Sequence, residues 1–138
     1  MMEQCRWKWF NCTSSLFAFV GTAKGMQEDV EKFKLLMVRL VSLLHSLALQ
    51  EVGNVHEDRF DIIDPTGIDK DSLDYLLEAK TAKIEIVCQW VQLLITQSVE
   101  SGVVCMAPPL QARIFQDLAQ GLVDTKRART LTCIPFPF

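Results

Sequence analysis

The sequence predicts an all-α protein, a helical bundle assembled around a few long apolar helices. Of its 138 residues, 49% are hydrophobic but only 9% are aromatic, and Gly and Pro are few. That composition favours helices rich in Leu, Val and Ile over a sandwich of many short strands. Two long segments also repeat apolar residues in steps of three and four, the spacing of a helix face. We therefore expect one helical region with a sizeable core.

Residues 26–52 form the first convincing element, a long helix that begins near Glu28 and ends at Val52, before Gly53-Asn54. Its acidic first turn suits the positive end of the helix dipole. Further apolar residues widen the apolar stripe past half of the circumference, so we expect partners on two sides. The stripe itself consists of Val30, Phe33, Met37, Leu40, Leu44 and Leu47.

Residues 53–80 form an acidic connector. Eight acids stand against Arg59 and Lys70 between residues 57 and 78, a local charge of −6. Asp71 or Ser72 is expected to cap a short helix that ends at Glu78. Calcium binding is the alternative, but an EF-hand loop begun at Asp69 would need Gly where Asp74 stands.

Residues 81–102 predict a second long helix, from about Thr81 to Glu100, with Gly102 placed to close it. Its apolar residues fall on two stripes, so it too should be buried on two faces. One stripe comprises Ile84, Val87, Val91, Leu94 and Val99, and the other comprises Ile86, Trp90 and Leu93.

Neither long helix is expected to cross a membrane, because a span takes about 20 consecutive apolar residues. Lys34, Arg39 and His45 interrupt the first, and Glu85 with several Gln residues interrupts the second.

Residues 108–129 predict a third helix that opens with Pro108-Pro109, as proline suits the first turn. Leu110, Ile114, Leu118 and Leu122 recur in it every four residues. The cations that follow, Lys126, Arg127 and Arg129, are expected to cap its C-terminal end, with phosphate binding as the alternative.

The two ends of the chain are unusual. Residues 1–25 place Trp and Phe beside Arg6 and Lys8, which indicates core packing, a membrane interface or a cation–π contact. Residues 130–138 alternate Pro with large apolar side chains and look like a truncated edge.

Charge, cysteines and motifs exclude several function classes. The net charge of −3 gives no basic excess for nucleic acid. The five cysteines form no zinc-ligand spacing, so we expect reduced, mostly buried thiols and no metal. They are Cys5, Cys12, Cys88, Cys105 and Cys133.

No phosphate loop or hydrolase motif occurs, so we expect neither an enzyme nor a cofactor. His45 is interpreted as a hydrogen-bonded core imidazole, with a general base as the alternative. His56 lies in the acidic connector. A polar cavity around either ring would favour an enzyme.

Two segments resemble the bestrophin family of anion channels. The stretch from Pro108 to Leu122 is similar to a Pro-opened helix of the form Arg-x-Phe-Gln-Glu-Leu-x-x-Gly, and the last residues are similar to a Pro-Phe-Pro-Phe-Pro-Tyr-Ala-Gln run. Arg6-Trp7 and the Leu-rich segment from Arg39 to Leu49 are weaker matches. The matching residues are Arg113, Phe115, Gln116, Asp117, Leu118 and Gly121, then Pro135, Phe136, Pro137 and Phe138.

The resemblance implies part of a homopentameric channel subunit that conducts chloride or similar monovalent anions. The matching region would form extramembrane helices around an aqueous vestibule, and the two-faced helices would pack against a neighbouring subunit. The membrane-crossing parts would come from segments absent here. Arg6 and Trp7 would support the pore neck, and Phe136 and Phe138 would lead back into the bilayer.

The resemblance also implies two pore-lining residues, Pro109 and Leu110. An apolar ring there would favour weakly hydrated anions, and the N–H groups of Leu110, Gln111 and Ala112 would face them. The alternative is a helix-starting proline followed by a core leucine. For the whole chain, the alternative function is a soluble helical protein-interaction module without transport activity.

Overall fold

The computed structural model describes residues 2–21, 25–53, 67–79 and 81–133. Within these residues the chain forms five α-helices and one isolated β-bridge, which confirms the all-α helical bundle. The helices are α1 (Met2–Ala18), α2 (Gln27–Val52), α3 (Lys70–Glu78), α4 (Lys83–Glu100) and α5 (Pro108–Cys133). The most extensive contacts join α1 to α5 and α2 to α4, and α2 also contacts α1 and α5.

Helix α2 lies at the centre of the bundle. All six residues of its predicted stripe are buried, together with Leu43 and Ala48. The second face is only partly covered, since Leu35 and Val38 remain about half exposed. The prediction of a long helix ending at Val52 is thus confirmed, and the structure leaves part of its wide apolar surface uncovered.

The short helix α3 begins differently from the prediction. Its N-cap is Asp69, whose carboxylate accepts a hydrogen bond from the Ser72 backbone N–H at 2.9 Å and another from the Ser72 hydroxyl at 2.7 Å. These bonds lower the pKa of the Asp69 carboxyl. Asp69 therefore serves the helix terminus that Asp71 or Ser72 was expected to serve.

Helix α4 confirms the second long helix, and Gly102 follows it with a φ of 83°. Ile84, Val87 and Val91 are buried as predicted, and Ile95 joins them. The second stripe is wrong in part, because Leu93 is 47% exposed while Ile86 and Trp90 are partly buried.

Helix α5 runs past the predicted end at residue 129. Lys126 and Arg129 therefore do not cap it but pair with acids on neighbouring helices. Lys126 Nζ lies 3.2 Å from Glu85 Oε1 on α4, and Arg129 Nη1 lies 2.8 Å from Glu51 Oε1 on α2. These exposed ion pairs connect α5 to both helices and contribute little to stability individually.

Helix α1 was not predicted. It is joined to the loop before α5 by an antiparallel bridge between Val20 and Val104. The Cys105 N–H donates to the Phe19 carbonyl at 2.7 Å, and the Gly21 N–H donates to the Val103 carbonyl at 2.6 Å. A Cβ at Gly21 would lie 2.9 Å from the Gly102 carbonyl oxygen, so this approach requires glycine.

Helix α2 is long and apolar enough to cross a membrane by length and composition. The charged residues that were expected to rule out a membrane span do not do so by this criterion, since an 18-residue stretch of α2 has a mean hydropathy of 1.5 and at most two charged residues. One third of that stretch is buried inside the bundle. A core helix of a soluble protein also meets this criterion.

Candidate functional site

Among the described helices, α1 and α5 form the most extensive contact, an antiparallel seam. Its buried residues alternate steps of four and three along both helices, which keeps one face of each helix against the other. We call this set the α1–α5 seam. It comprises Cys5, Trp9, Cys12 and Leu16 on α1, with Ile114, Leu118, Gly121, Thr125 and Ala128 on α5.

The seam corrects the predicted four-residue repeat on α5. Ile114 and Leu118 are buried, but Leu110 is 38% exposed and Leu122 is only partly buried. A strict four-residue step turns about 40° around the helix each time, so it leaves the contact face after two residues. The face continues instead through Gly121 and Thr125.

Two hydrogen bonds cross the seam and fix its register. The Trp9 indole N–H donates to the Leu118 backbone carbonyl at 3.2 Å. Farther along, the Cys5 thiol and the Thr125 hydroxyl lie 3.2 Å apart, and the Thr125 hydroxyl donates to the Gly121 carbonyl at 2.9 Å. Every one of these polar groups is buried.

Gly121 is required by the position of Trp9. A Cβ at this glycine would lie 2.7 Å from Trp9 Cε2 and would also overlap the indole nitrogen. The indole is 1% exposed and is held by its hydrogen bond, so it has little room to move. The glycine of the Arg113–Gly121 pattern therefore makes space for a tryptophan on another helix.

Beside the seam, α1 and α5 enclose an open cleft of about 330 Å³. We call it the α1–α5 cleft. Three of the residues singled out in the sequence line it, namely Leu110, Arg113 and Asp117. The remaining lining residues are Asn11, Ser14, Ser15, Phe19 and Ile114.

The cleft carries one charge of each sign. Asp117 is partly buried and forms an ion pair with Lys8, whose Nζ lies 3.8 Å from Asp117 Oδ1. Arg113 is exposed and forms no ion pair with any described residue. Of the two charged side chains that line the cleft, the cation is therefore the one without an ion pair among the described residues.

Comparison with protein-family models, curated proteins and solved structures finds no match to this chain. The resemblance to bestrophins therefore stays a prediction that depends on the residues quoted for it.

The two pore-lining candidates lie at the exposed start of α5. Pro109 is exposed, and Leu110 stands at the edge of the α1–α5 cleft. The N–H groups of Leu110 and Gln111 both donate to the Ala107 carbonyl, at 3.0 and 3.2 Å. Two of the three amides that were expected to face an anion are thus already bonded within the protein.

The other residues of the resemblance lie against the core, on the surface or outside the described residues. Phe115 packs against the core and Gln116 is exposed. Trp7 is 53% exposed and forms an edge-to-face contact with the Phe10 ring, at 5.8 Å between centroids. Pro135, Phe136, Pro137 and Phe138 lie outside the described residues.

Two residues of α1 interact with His45 of α2, Trp9 through its ring and Arg6 through its charge. The Trp9 and His45 rings meet edge to face, with centroids 6.3 Å apart. Burial lowers the His45 pKa, and the nearby charge of Arg6 lowers it further. His45 Nδ1 is buried without a hydrogen-bond partner among the described residues, so the hydrogen bond predicted for this imidazole is not found at Nδ1.

Four cysteines of the described residues are free thiols, and three of them are buried. Cys5, Cys12 and Cys88 are buried, as predicted, whereas Cys105 is exposed. Burial is the main cause that raises the pKa of Cys12 to about 12 and of Cys88 to about 11. A thiol that resists ionisation is a poor nucleophile and a poor metal ligand. No group of three or more potential metal ligands occurs in the described part.

Proposed function

We propose that this chain forms part of the vestibule wall of a bestrophin-like anion channel subunit, which assembles as a homopentamer in a membrane. The observation that supports this most directly is the contact between the segments that carry the resemblance. Trp9 and Leu118 are 109 residues apart in the sequence, and a hydrogen bond joins them. The Arg6-Trp7 and Arg113–Gly121 segments therefore belong to one packed unit.

Uncovered apolar surface supports the assembly part of the proposal. Leu35, Val38 and Leu49 on α2 are about half exposed, and Leu93 on α4 is 47% exposed. Apolar side chains on the outside of a bundle are candidates for contact with a second subunit. In a ring of copies, each subunit would present these faces to its neighbour.

The pore-lining proposal now depends on side chains rather than on helix amides. Leu110 is 38% exposed at the start of α5, and its own N–H is bonded to Ala107. A ring of such side chains would form an apolar constriction, which a weakly hydrated anion crosses more easily than a strongly hydrated one. Pro109 would fix the geometry of the helix start.

A chimaera with the membrane-crossing parts of a bestrophin-like channel tests this function. We expect it to conduct anions, and we expect Leu110→Ala to change the permeability of thiocyanate relative to chloride. Leu131→Ala is the matched control, since Leu131 is also exposed but lies near the other end of α5. If both variants have the same thiocyanate-to-chloride permeability ratio, Leu110 does not line the pore.

A soluble interaction module is the second candidate, and one observation favours it. Met37 and Leu44 of α2 and Val87 and Ile95 of α4 are fully buried within this chain alone. The described part of the chain thus forms a buried core within one copy. Native mass spectrometry separates the candidates, because a monomer at micromolar concentration would favour the module and a pentamer would favour the channel.

A further inference from the structure

We propose that the α1–α5 cleft binds a small organic monocarboxylate with an aliphatic tail. This inference goes beyond the proposed channel role, because the cleft lies within one chain and requires neither a pore nor a second copy. It follows from the size of the cleft, from its apolar side chains and from Arg113, which forms no ion pair within the described part of the chain.

The size and the apolar surface of the cleft suit a small aliphatic group. Its volume of about 330 Å³ is at the lower end of the range for small-molecule sites. Ile114, which is 4% exposed, lines the cleft together with Phe19 and Leu110. A short hydrocarbon chain placed there would leave water for these side chains.

The polar wall suits a carboxylate. Arg113 offers a planar guanidinium that can donate two parallel hydrogen bonds to a carboxylate. It forms no ion pair with any described residue, although Asp117 lies four residues farther along the same helix. Asn11, Ser14 and Ser15 line the same cleft and add neutral hydrogen-bond donors.

The apolar lining, rather than Asp117, sets the preference among anions. The Asp117 carboxylate lines the cleft and is only loosely neutralised by Lys8, at 3.8 Å. Attraction to Arg113 and repulsion from Asp117 both double for a phosphate dianion, so charge alone does not select the ligand. Inorganic phosphate, however, has no hydrocarbon group to place against Phe19, Leu110 and Ile114. The cleft should therefore prefer a monocarboxylate to inorganic phosphate.

Saturation-transfer NMR on the 138-residue chain tests the proposal, with sodium butyrate as the probe. This measurement works for monomers and for larger assemblies. We expect saturable transfer to the butyrate methyl group, and Arg113→Gln should weaken the affinity about tenfold or more. Ser15→Ala provides a second variant within the cleft.

Arg127→Gln is the matched control. Arg127 is an exposed arginine on the same helix, and 14 residues at a rise of about 1.5 Å each place it roughly 21 Å from Arg113 along the axis. Its loss should leave butyrate affinity unchanged. The proposal is overturned if butyrate gives no saturable transfer, if both arginine variants weaken binding equally, or if phosphate competes as well as butyrate.

Discussion

The two main helix contacts of this bundle are formed by different kinds of side chain. The α1–α5 seam uses Trp9, Gly121, Thr125 and two cysteines, and hydrogen bonds cross it. The contact between α2 and α4 is mainly aliphatic. The buried residues of these two helices include Met37, Leu40, Leu44 and Leu47 on α2, and Ile84, Val87, Val91 and Ile95 on α4.

Because of this difference, we expect the α2–α4 contact to contribute mainly stability and the α1–α5 seam to set the register of its two helices. Hydrophobic burial is non-directional, so an aliphatic contact tolerates small shifts and volume-conserving exchanges. The buried Trp9 indole must donate to the Leu118 carbonyl and also fit against Gly121. Only one alignment of α1 with α5 meets both requirements. We therefore expect the α1–α5 seam to be sensitive to shape and the α2–α4 contact to be sensitive mainly to lost volume.

The largest effect should come from truncating Trp9. Trp9→Ala removes a ring that is 1% exposed, so we expect a loss of about 3–5 kcal/mol in the free energy of unfolding. Trp7→Ala is the matched control, because Trp7 is 53% exposed and should change stability by less than about 1 kcal/mol. Denaturant unfolding followed by circular dichroism measures both variants. Equal losses of unfolding free energy would contradict the central place of Trp9 in the α1–α5 seam.

Filling the glycine should give the next largest effect. Gly121→Ala improves helix propensity by about 1 kcal/mol, yet its Cβ would overlap the Trp9 indole. We expect a net loss of about 1–3 kcal/mol, the usual cost of overpacking. The same unfolding experiment on the double variant Gly121→Ala with Trp9→Phe should recover part of that loss.

Leu44→Met tests the aliphatic packing of α2 and α4. Leu44 is fully buried on α2, and this exchange conserves volume, so we expect a loss below about 1.5 kcal/mol. A loss larger than that of Gly121→Ala would mean that the α2–α4 contact is the shape-specific one.

A smaller effect is expected at the hydroxyl of the seam. Thr125→Val keeps the shape but removes the bonds to Cys5 and to the Gly121 carbonyl, for a loss of about 1 kcal/mol. Thr130→Val is the control, since the exposed Thr130 hydroxyl bonds only to the Lys126 carbonyl of its own helix. If the two variants are equally stable, the Thr125 bond contributes nothing specific to the seam.

The smallest effect should be a dependence on pH at His45. Its pKa in the folded protein lies below the ordinary value of 6.5, so the unfolded chain binds the proton more readily. Stability should therefore be complete above about pH 6.5 and should decline as the pH falls below that value. Unfolding midpoints at pH 7.5 and 5.5 should converge in His45→Gln but not in His56→Gln.

The sequence predicted those elements whose signal is a long apolar repeat. The positions Val30, Phe33 and Met37 on α2 and Ile84, Val87 and Val91 on α4 are buried as the repeat required. Helix α1 was missed because its buried face is made of Cys5, Trp9 and Cys12, residues that hydropathy patterns do not emphasise. The steps of four and three from Cys5 to Leu16 were the signal that could have found it.

The candidate site was only partly predictable for the same reason. Leu110, Arg113 and Asp117 were singled out from the sequence, and the fold brings them together in one cleft. Asn11, Ser14 and Ser15 carry no motif, and only the packing of α1 against α5 places them opposite Arg113. Lys8 became the partner of Asp117 in the same way.

Taken alone, the sequence determined that this chain is helical and where its long apolar helices lie, because helix periodicity depends on residues a few positions apart. Tertiary structure decided which helices pair, why residue 121 is glycine and which polar groups share a cleft. Those outcomes depend on the fit of side chains more than a hundred residues apart, such as Trp9 and Leu118, and no local pattern records that fit.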